Sequence, residues 1–132
     1  MCGERGMGKL YISDMGKIDN KTVGERGEKL AREHLQILGY TIIGKNYRTK
    51  WGEIDIIAKD KDIVVFVEVK TKTNNTYGEP WEMVNQWKIE QVKRMGEVWC
   101  RDFGWKGLIR MDVVGIILGD GDEPKIDYYE NV

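Results

Sequence analysis

The stretch that most constrains the fold is Ile63-Val64-Val65-Phe66-Val67-Glu68-Val69-Lys70, dominated by β-branched and aromatic residues. Such side chains favour the pleated strand, where they pack against neighbours on the sheet surface. Alternation puts Val65, Val67 and Val69 on one face and Val64, Phe66, Glu68 and Lys70 on the other. Both faces begin apolar, so the strand belongs in the middle of a sheet covered on both sides. One of those faces then turns from apolar to charged, carrying Glu68 and Lys70 toward the end of a buried surface.

The rest of the chain supplies the cover. With 132 residues, 41% of them hydrophobic and 33% charged, it suits one compact domain. No apolar run approaches the roughly 20 residues of a membrane span, and no secretion signal is evident. Cys2 and Cys100 stand far apart with no CxxC pairing, which disfavours a disulfide scaffold or a structural zinc site. A cytoplasmic setting away from any membrane is the expectation. Lys and Arg number 21 against 22 for Asp and Glu, a net charge of -1. Any affinity for nucleic acid must therefore come from local placement of charge.

Residues 1–20 are glycine-rich and without periodicity, and are expected to form a weakly ordered extension to a domain over 21–132. Thr22-Val23-Gly24-Glu25 fits a capping box opening a helix that runs to about residue 38 and stops at Gly39. Strands are predicted over 40–46, 53–58, 63–70, 108–118 and 125–129, with turns at Trp51-Gly52 and Asp60-Lys61-Asp62 and a polar loop over 74–78. Glu79-Pro80 is expected to open a second helix reaching about residue 102. The predicted class is α/β, a mixed sheet of about five strands flanked by two main helices in the order α-β-β-β-α-β-β.

In the strand over 53–58 the same alternation groups Glu53, Asp55 and Ile57 opposite Ile54 and Ile56. Asp55, Glu68 and Lys70 would then meet at one edge. Two carboxylates about 4 Å apart repel by roughly 4 kcal/mol at an effective dielectric of about 20. Domain stability is only about 5–15 kcal/mol, so such a cluster needs a counter-charge. Lys70 can supply part of it, and a hard divalent cation with oxygen ligands would supply more. The plain alternative is an acid–lysine ion-pair network at a sheet edge.

Glu28 lies beside the apolar arc of Leu30, Ala31, His34, Leu35 and Leu38, roughly 20° from Leu35 around the helix. It either pairs with Arg32 one turn on or serves as a third acid over the sheet. Lys88 falls within the arc of Val84, Val92, Met95 and Trp99, so it either snorkels to water or points a cation at the same site. Most of Trp81, Trp87 and Trp99 on the second helix are expected to pack in the core, whereas Trp51 and Trp105 at turns could stack on bases. His34 is expected in the core or at its boundary, and Asp120-x-Asp122-Glu123 reads as a hairpin turn.

An ordered set of short motifs runs through the chain: Gly24-x-x-Gly27-Glu28-x-x-Ala31, Asn46-Tyr47-Arg48, Gly52-Glu53-Ile54-Asp55-Ile56-Ile57-Ala58, Phe66-Val67-Glu68-Val69-Lys70-Thr71, Tyr77-Gly78-x-Pro80-x-Glu82-x-Val84, Lys88 and Arg110-x-Asp112. Over about residues 22–130 this set resembles the YraN family of uncharacterised bacterial proteins, similar to restriction endonucleases and archaeal Holliday-junction resolvases. The resemblance implies a restriction-endonuclease-like fold with a PD-(D/E)xK core: Asp55 as the Asp, Glu68-Val69-Lys70 as the ExK and Glu28 as the helix acid. It implies Mg²⁺- or Mn²⁺-dependent hydrolysis of phosphodiester bonds, on branched or single-stranded DNA. Asp55, Glu68 and the Val69 carbonyl would hold the cation, Glu28 would orient water, and Lys70 would position the attacking water or stabilise charge. Arg48, Lys72 and Lys88 would contact backbone phosphates. Resolvase-like relatives act as dimers, so a homodimer is implied as well. The rival readings are a catalytically silent module that grips nucleic acid or protein, and a purely structural adaptor. Lys72, Tyr77 and Met111 depart from the family's usual Arg, Phe and Phe, and none of the three removes a candidate ligand.

Overall fold

The computed structural model describes residues 20–73, 85–119 and 123–132. The extension expected over 1–20 (Asn20 apart), the 74–78 loop, the Glu79-Pro80 helix start, Trp81 and the turn residues 120–122 lie outside them. The elements are α1 (Asn20–Ile37), β1 (Thr41–Thr49), β2 (Gly52–Asp60), β3 (Ile63–Lys72), α2 (Gln86–Phe103), β4 (Leu108–Ile117) and β5 (Lys125–Tyr129). They follow the predicted order and form one mixed sheet with strand order β1-β2-β3-β4-β5. Neighbouring strands are antiparallel except β3 and β4, which run parallel with α2 between them in the chain. A parallel pair requires such a crossover, because a tight turn cannot reverse the chain twice.

β3 is central and covered on both faces, as its alternation requires. Val65, Val67 and Val69 pack with Ala31 and Leu35 of α1, whereas Val64 and Phe66 pack with Val92 and Met95 of α2. Adjacent β3 side chains point to opposite faces, so the two helices sandwich the sheet. His34 sits at the rim of the α1 face, edge-on to Tyr128 with centroids 6.1 Å apart.

Both helix starts differ from expectation. Helix α1 already includes Asn20, so Thr22 lies inside its first turn and cannot be the cap, which must stand just outside the helical dihedrals. Helix α2 begins at Gln86: Asn85 is extended (φ -88°, ψ 171°), and its Oδ1 accepts the Lys88 N–H at 2.9 Å. An extended residue there interrupts any helix running on from Pro80, and asparagine is among the best caps for a new one. Gly104 ends α2 in the left-handed region at φ 73°. Trp99 packs at the core as expected for most of the helix tryptophans, lying half-buried against Phe66 and Phe103, whereas Trp87 is 68% exposed.

Helix α1 touches β3 through a glycine. A Cβ on Gly27 would fall 1.8 Å from Thr71 Oγ1 and 2.7 Å from Thr71 Cβ, so the helix rests on the strand with no room for a methyl group. Far along the sheet, the Arg110-x-Asp112 motif is a structural lock. Arg110 Nε and Nη2 donate to the two oxygens of the fully buried Asp112, each at 2.9 Å, and Nη2 also donates to the Tyr40 hydroxyl at 2.9 Å. The Tyr128 hydroxyl and the Asn131 N–H donate to the same carboxylate. Burial, then the hydrogen bond to Asp112, pushes the Tyr128 pKa far above its ordinary value, which keeps that hydroxyl a donor.

Two outcomes follow. Gly27→Ala should destabilise the protein by about 1–3 kcal/mol in urea titration, because overpacking forces α1 off the strand. Arg110→Ala should lose about 3–5 kcal/mol, since it strands a buried carboxylate without its cation.

Candidate active site

β2 and β3 stay paired from Asp60–Ile63 to Ile56–Val67, and their ladder ends there. β3 continues along β4 as far as Lys72–Ile117. The two strands therefore fork, and Asp55 is the first β2 residue beyond the split. Its Oδ2 accepts the Val69 N–H at 2.8 Å, doing for β3 what a backbone carbonyl does farther back.

The strand is irregular at this point. Ile54 and Ile57 both pack on the α2 face, whereas Ile56 packs on the α1 face. Strict alternation, which would put Glu53, Asp55 and Ile57 opposite both Ile54 and Ile56, is thus broken at Asp55. The register of β1 against β2 passes from Lys45–Ile56 to Tyr47–Ile54, which places Asn46 beside Asp55. Asn46 has φ 51°, a left-handed conformation that asparagine tolerates better than most residues. Two irregular residues side by side turn the chain's polar groups into the fork.

Acids from three elements converge there. Glu68, on the α2 face of β3, is only 4% exposed, and its Oε1 is buried without a hydrogen-bond partner among the described residues. Asn46 Nδ2 donates to Glu28 Oε1 at 3.1 Å and to Glu53 Oε2 at 2.8 Å, tying the acid of α1 to that of β2. Glu28 is therefore turned toward the sheet, and Asn46 rather than Arg32 is its partner. Burial, then the neighbouring Glu68, pushes the Asp55 pKa up to about 8, with Glu28 and Glu53 adding to the rise and the Val69 N–H opposing it. Burial also raises Glu68, against the lowering pull of Lys88 and then Lys70. Lys88 thus acts on the acid site, even though it lies among apolar residues of α2.

Sequence reasoning brought Glu28, Asp55, Glu68, Lys70 and Lys88 to this region, and the geometry groups them. Arg48 is at its margin, 76% exposed and 3.5 Å from Glu53. Lys72 lies at the end of β3, two residues past Lys70. Asn46 and Glu53 stood in the motif strings without a role. The one available signal was an asparagine inside an otherwise strand-forming run.

Among the described residues, no group of three or more His, Cys, Asp and Glu side chains is spaced to hold a metal ion by itself. That count does not disqualify magnesium, which usually keeps several waters and takes one or two carboxylates plus substrate phosphate oxygens. The unsatisfied Oε1 of Glu68 and the neighbouring Asp55, whose pKa burial and like charge raise, form a carboxyl pair that such an ion would complete by displacing the Asp55 proton. Among the described residues no helix is long and apolar enough to cross a membrane.

A mixed sheet between two helices, with carboxyl groups and lysines gathered at a forked strand pair, defines the class of protein. The chain belongs to the uncharacterised protein family UPF0102, whose model matches residues 27–116, and this bears out the resemblance of the motifs to the YraN family. It is 39% identical over 119 residues to a UPF0102 protein of Leifsonia xyli, covering 89% of this chain and 99% of that one. It is 45% identical over 116 residues to a UPF0102 protein of Alkaliphilus metalliredigens, covering 85% and 97%. A third relative, from Rhodococcus jostii, is 40% identical over 111 residues, covering 83% and 93%.

A raised carboxyl pKa has a defined sign in stability. Folded Asp55 holds its proton up to about pH 8, whereas the unfolded residue releases it near 3.8, so metal-free protein loses stability as pH rises between those values. Asp55→Asn keeps an acceptor for Val69 and removes the charge. In EDTA its melting temperature should match wild type near pH 4 and exceed it by several degrees above pH 8; a constant difference across that range would contradict the assignment.

Proposed function

We propose that this protein is a Mg²⁺-dependent endonuclease acting on phosphodiester bonds, with single-stranded or branched DNA as its substrate class. The observation that carries the reading is the pairing of Asp55 with the buried Glu68, whose Oε1 has no hydrogen-bond partner among the described residues, at a strand fork where Lys88 and Lys70 act on Glu68. The resemblance of the motifs to PD-(D/E)xK enzymes supports the same chemistry.

In this reading Asp55 and Glu68 hold the cation, with the Val69 carbonyl as a third ligand. The Val69 N–H faces Asp55, and a strand residue presents its carbonyl to the same side, so that oxygen is available at the fork. A bound magnesium supplies Lewis-acid activation of a phosphoryl oxygen and lowers the pKa of a bound water. Lys70, next along that face of β3, holds the water or offsets charge on the developing pentavalent centre. Glu28, fixed by Asn46, orients water from the α1 side. Lys88 and Lys72 receive phosphates on either side, and Arg48 does so at the margin. Farther along α1, Lys29 and Arg32 line a shallow cleft with Lys45 of β1, a local basic surface that the near-neutral total charge conceals.

Cleavage of single-stranded and four-way-junction DNA with Mg²⁺ should fall by roughly a hundredfold or more in Asp55→Ala and Lys70→Ala. Calorimetric titration of Mg²⁺ or Mn²⁺ should give heat with wild type and none with Glu68→Ala. Equal cleavage by wild type and Asp55→Ala overturns the mechanism. DNA binding indifferent to EDTA and to Lys70→Ala, without cleavage, would instead mark a binding module built on the same scaffold.

A further inference from the structure

Two tryptophans that the core leaves out face one groove. Trp51, at the β1–β2 turn, is 46% exposed, and Trp87, in the first turn of α2, more so. They line the groove together with Glu90, Gln91 and Arg94. The groove is built rather than incidental. Gln91 Nε2 donates to the Trp51 carbonyl, pinning the turn to the helix. Gly52, at φ 142°, lets the turn close so tightly that a Cβ there would sit 3.1 Å from Gln91 Nε2. The Lys50 ammonium lies 4.8 Å from the Trp51 ring centroid, a cation–π contact that orients the indole.

The chain links the groove to the acid fork along two elements. Trp51 precedes Glu53 and Asp55 on the way into β2, and Trp87 adjoins Lys88, whose charge acts on Glu68. Large aromatic faces in water beside Lys50 and Arg94 match the two parts of an unpaired nucleotide. The ring stacks on indole, and the phosphate meets a cation. Glu90 adds an acceptor of the kind that takes the exocyclic amine of cytosine. A base inside a double helix is already stacked and cannot enter.

We propose that Trp51 and Trp87 form a stacking subsite for unpaired nucleobases, through which single-stranded nucleic acid is led to the Asp55–Glu68 fork; this rests on the hydrolase reading above and specifies its substrate. The test uses the full chain in EDTA, so that binding is read without cleavage. The probes are a fluorescein-labelled ten-nucleotide oligodeoxycytidine and an abasic oligomer of the same length, followed by anisotropy. Trp51→Ala and Trp87→Ala should each weaken binding of the oligodeoxycytidine by about tenfold. Both should leave the weaker abasic binding and the salt dependence unchanged, since phosphate contacts are untouched. Trp87→Phe should restore most of the loss, and Mn²⁺ uptake should be normal in every variant.

Equal affinity for the two oligomers, or wild-type affinity in Trp87→Ala, overturns the stacking subsite while Mg²⁺-dependent cleavage can still stand. No binding of oligodeoxycytidine by wild type also overturns it, as would be expected if the tryptophans instead anchored a protein partner. Failure of the hydrolase reading is distinguished by metal uptake and cleavage that do not respond to Glu68→Ala and Asp55→Ala.

Discussion

The hydrogen bond from the Val69 amide to Asp55 Oδ2 holds together the place where β2 and β3 separate. A strand that loses its neighbour exposes a row of amides and carbonyls, and in a half-buried setting each needs a partner. A carboxylate side chain fills one of those vacancies here. The bond orients Asp55 and brings it against Glu68, while β4 keeps β3 straight behind them. The end of the ladder thus gathers polar groups beside an otherwise apolar sheet.

Much of this was legible in the chain because its causes are local. The two faces of β3 follow from a period of two, and Glu68 and Lys70 follow from those faces. The position of Glu28 beside the apolar arc of α1 is likewise a matter of helical angle. The partner of Glu28 was not legible, since Asn46 reaches it from a different element. Nor was the orientation of Asp55. Ile54 and Ile56 should share a face by alternation, and they do not, because Asn46 adopts a left-handed conformation beside them and the β2–β3 ladder ends there. The start of α2 escaped for a similar reason: Pro80 is a good first helical residue, but an extended Asn85 caps the helix that is described.

Energetically the acid pair runs against the fold. Burial raises the pKa of both Asp55 and Glu68, so their charged forms are disfavoured there, and a neutral, well-packed substitute would serve stability better. Strained or unsatisfied groups persist where the surroundings over-determine them. The surroundings here are the close seat of Gly27 on Thr71 and the bidentate clasp of Arg110 on Asp112, which fasten α1 and the β4–β5 end of the sheet.

The parallel pairing of β3 with β4 bears on how the molecule is made. Ile63 meets its neighbour Leu108 only after all of α2 has been synthesised. Until then the emerging β1-β2-β3 meander displays one long edge of valines and isoleucines, the kind of surface on which nascent chains adhere to one another. Glu68, Lys70 and Lys72 near the end of that strand interrupt the apolar run with charge, a pattern that disfavours edge-to-edge association of an incomplete sheet.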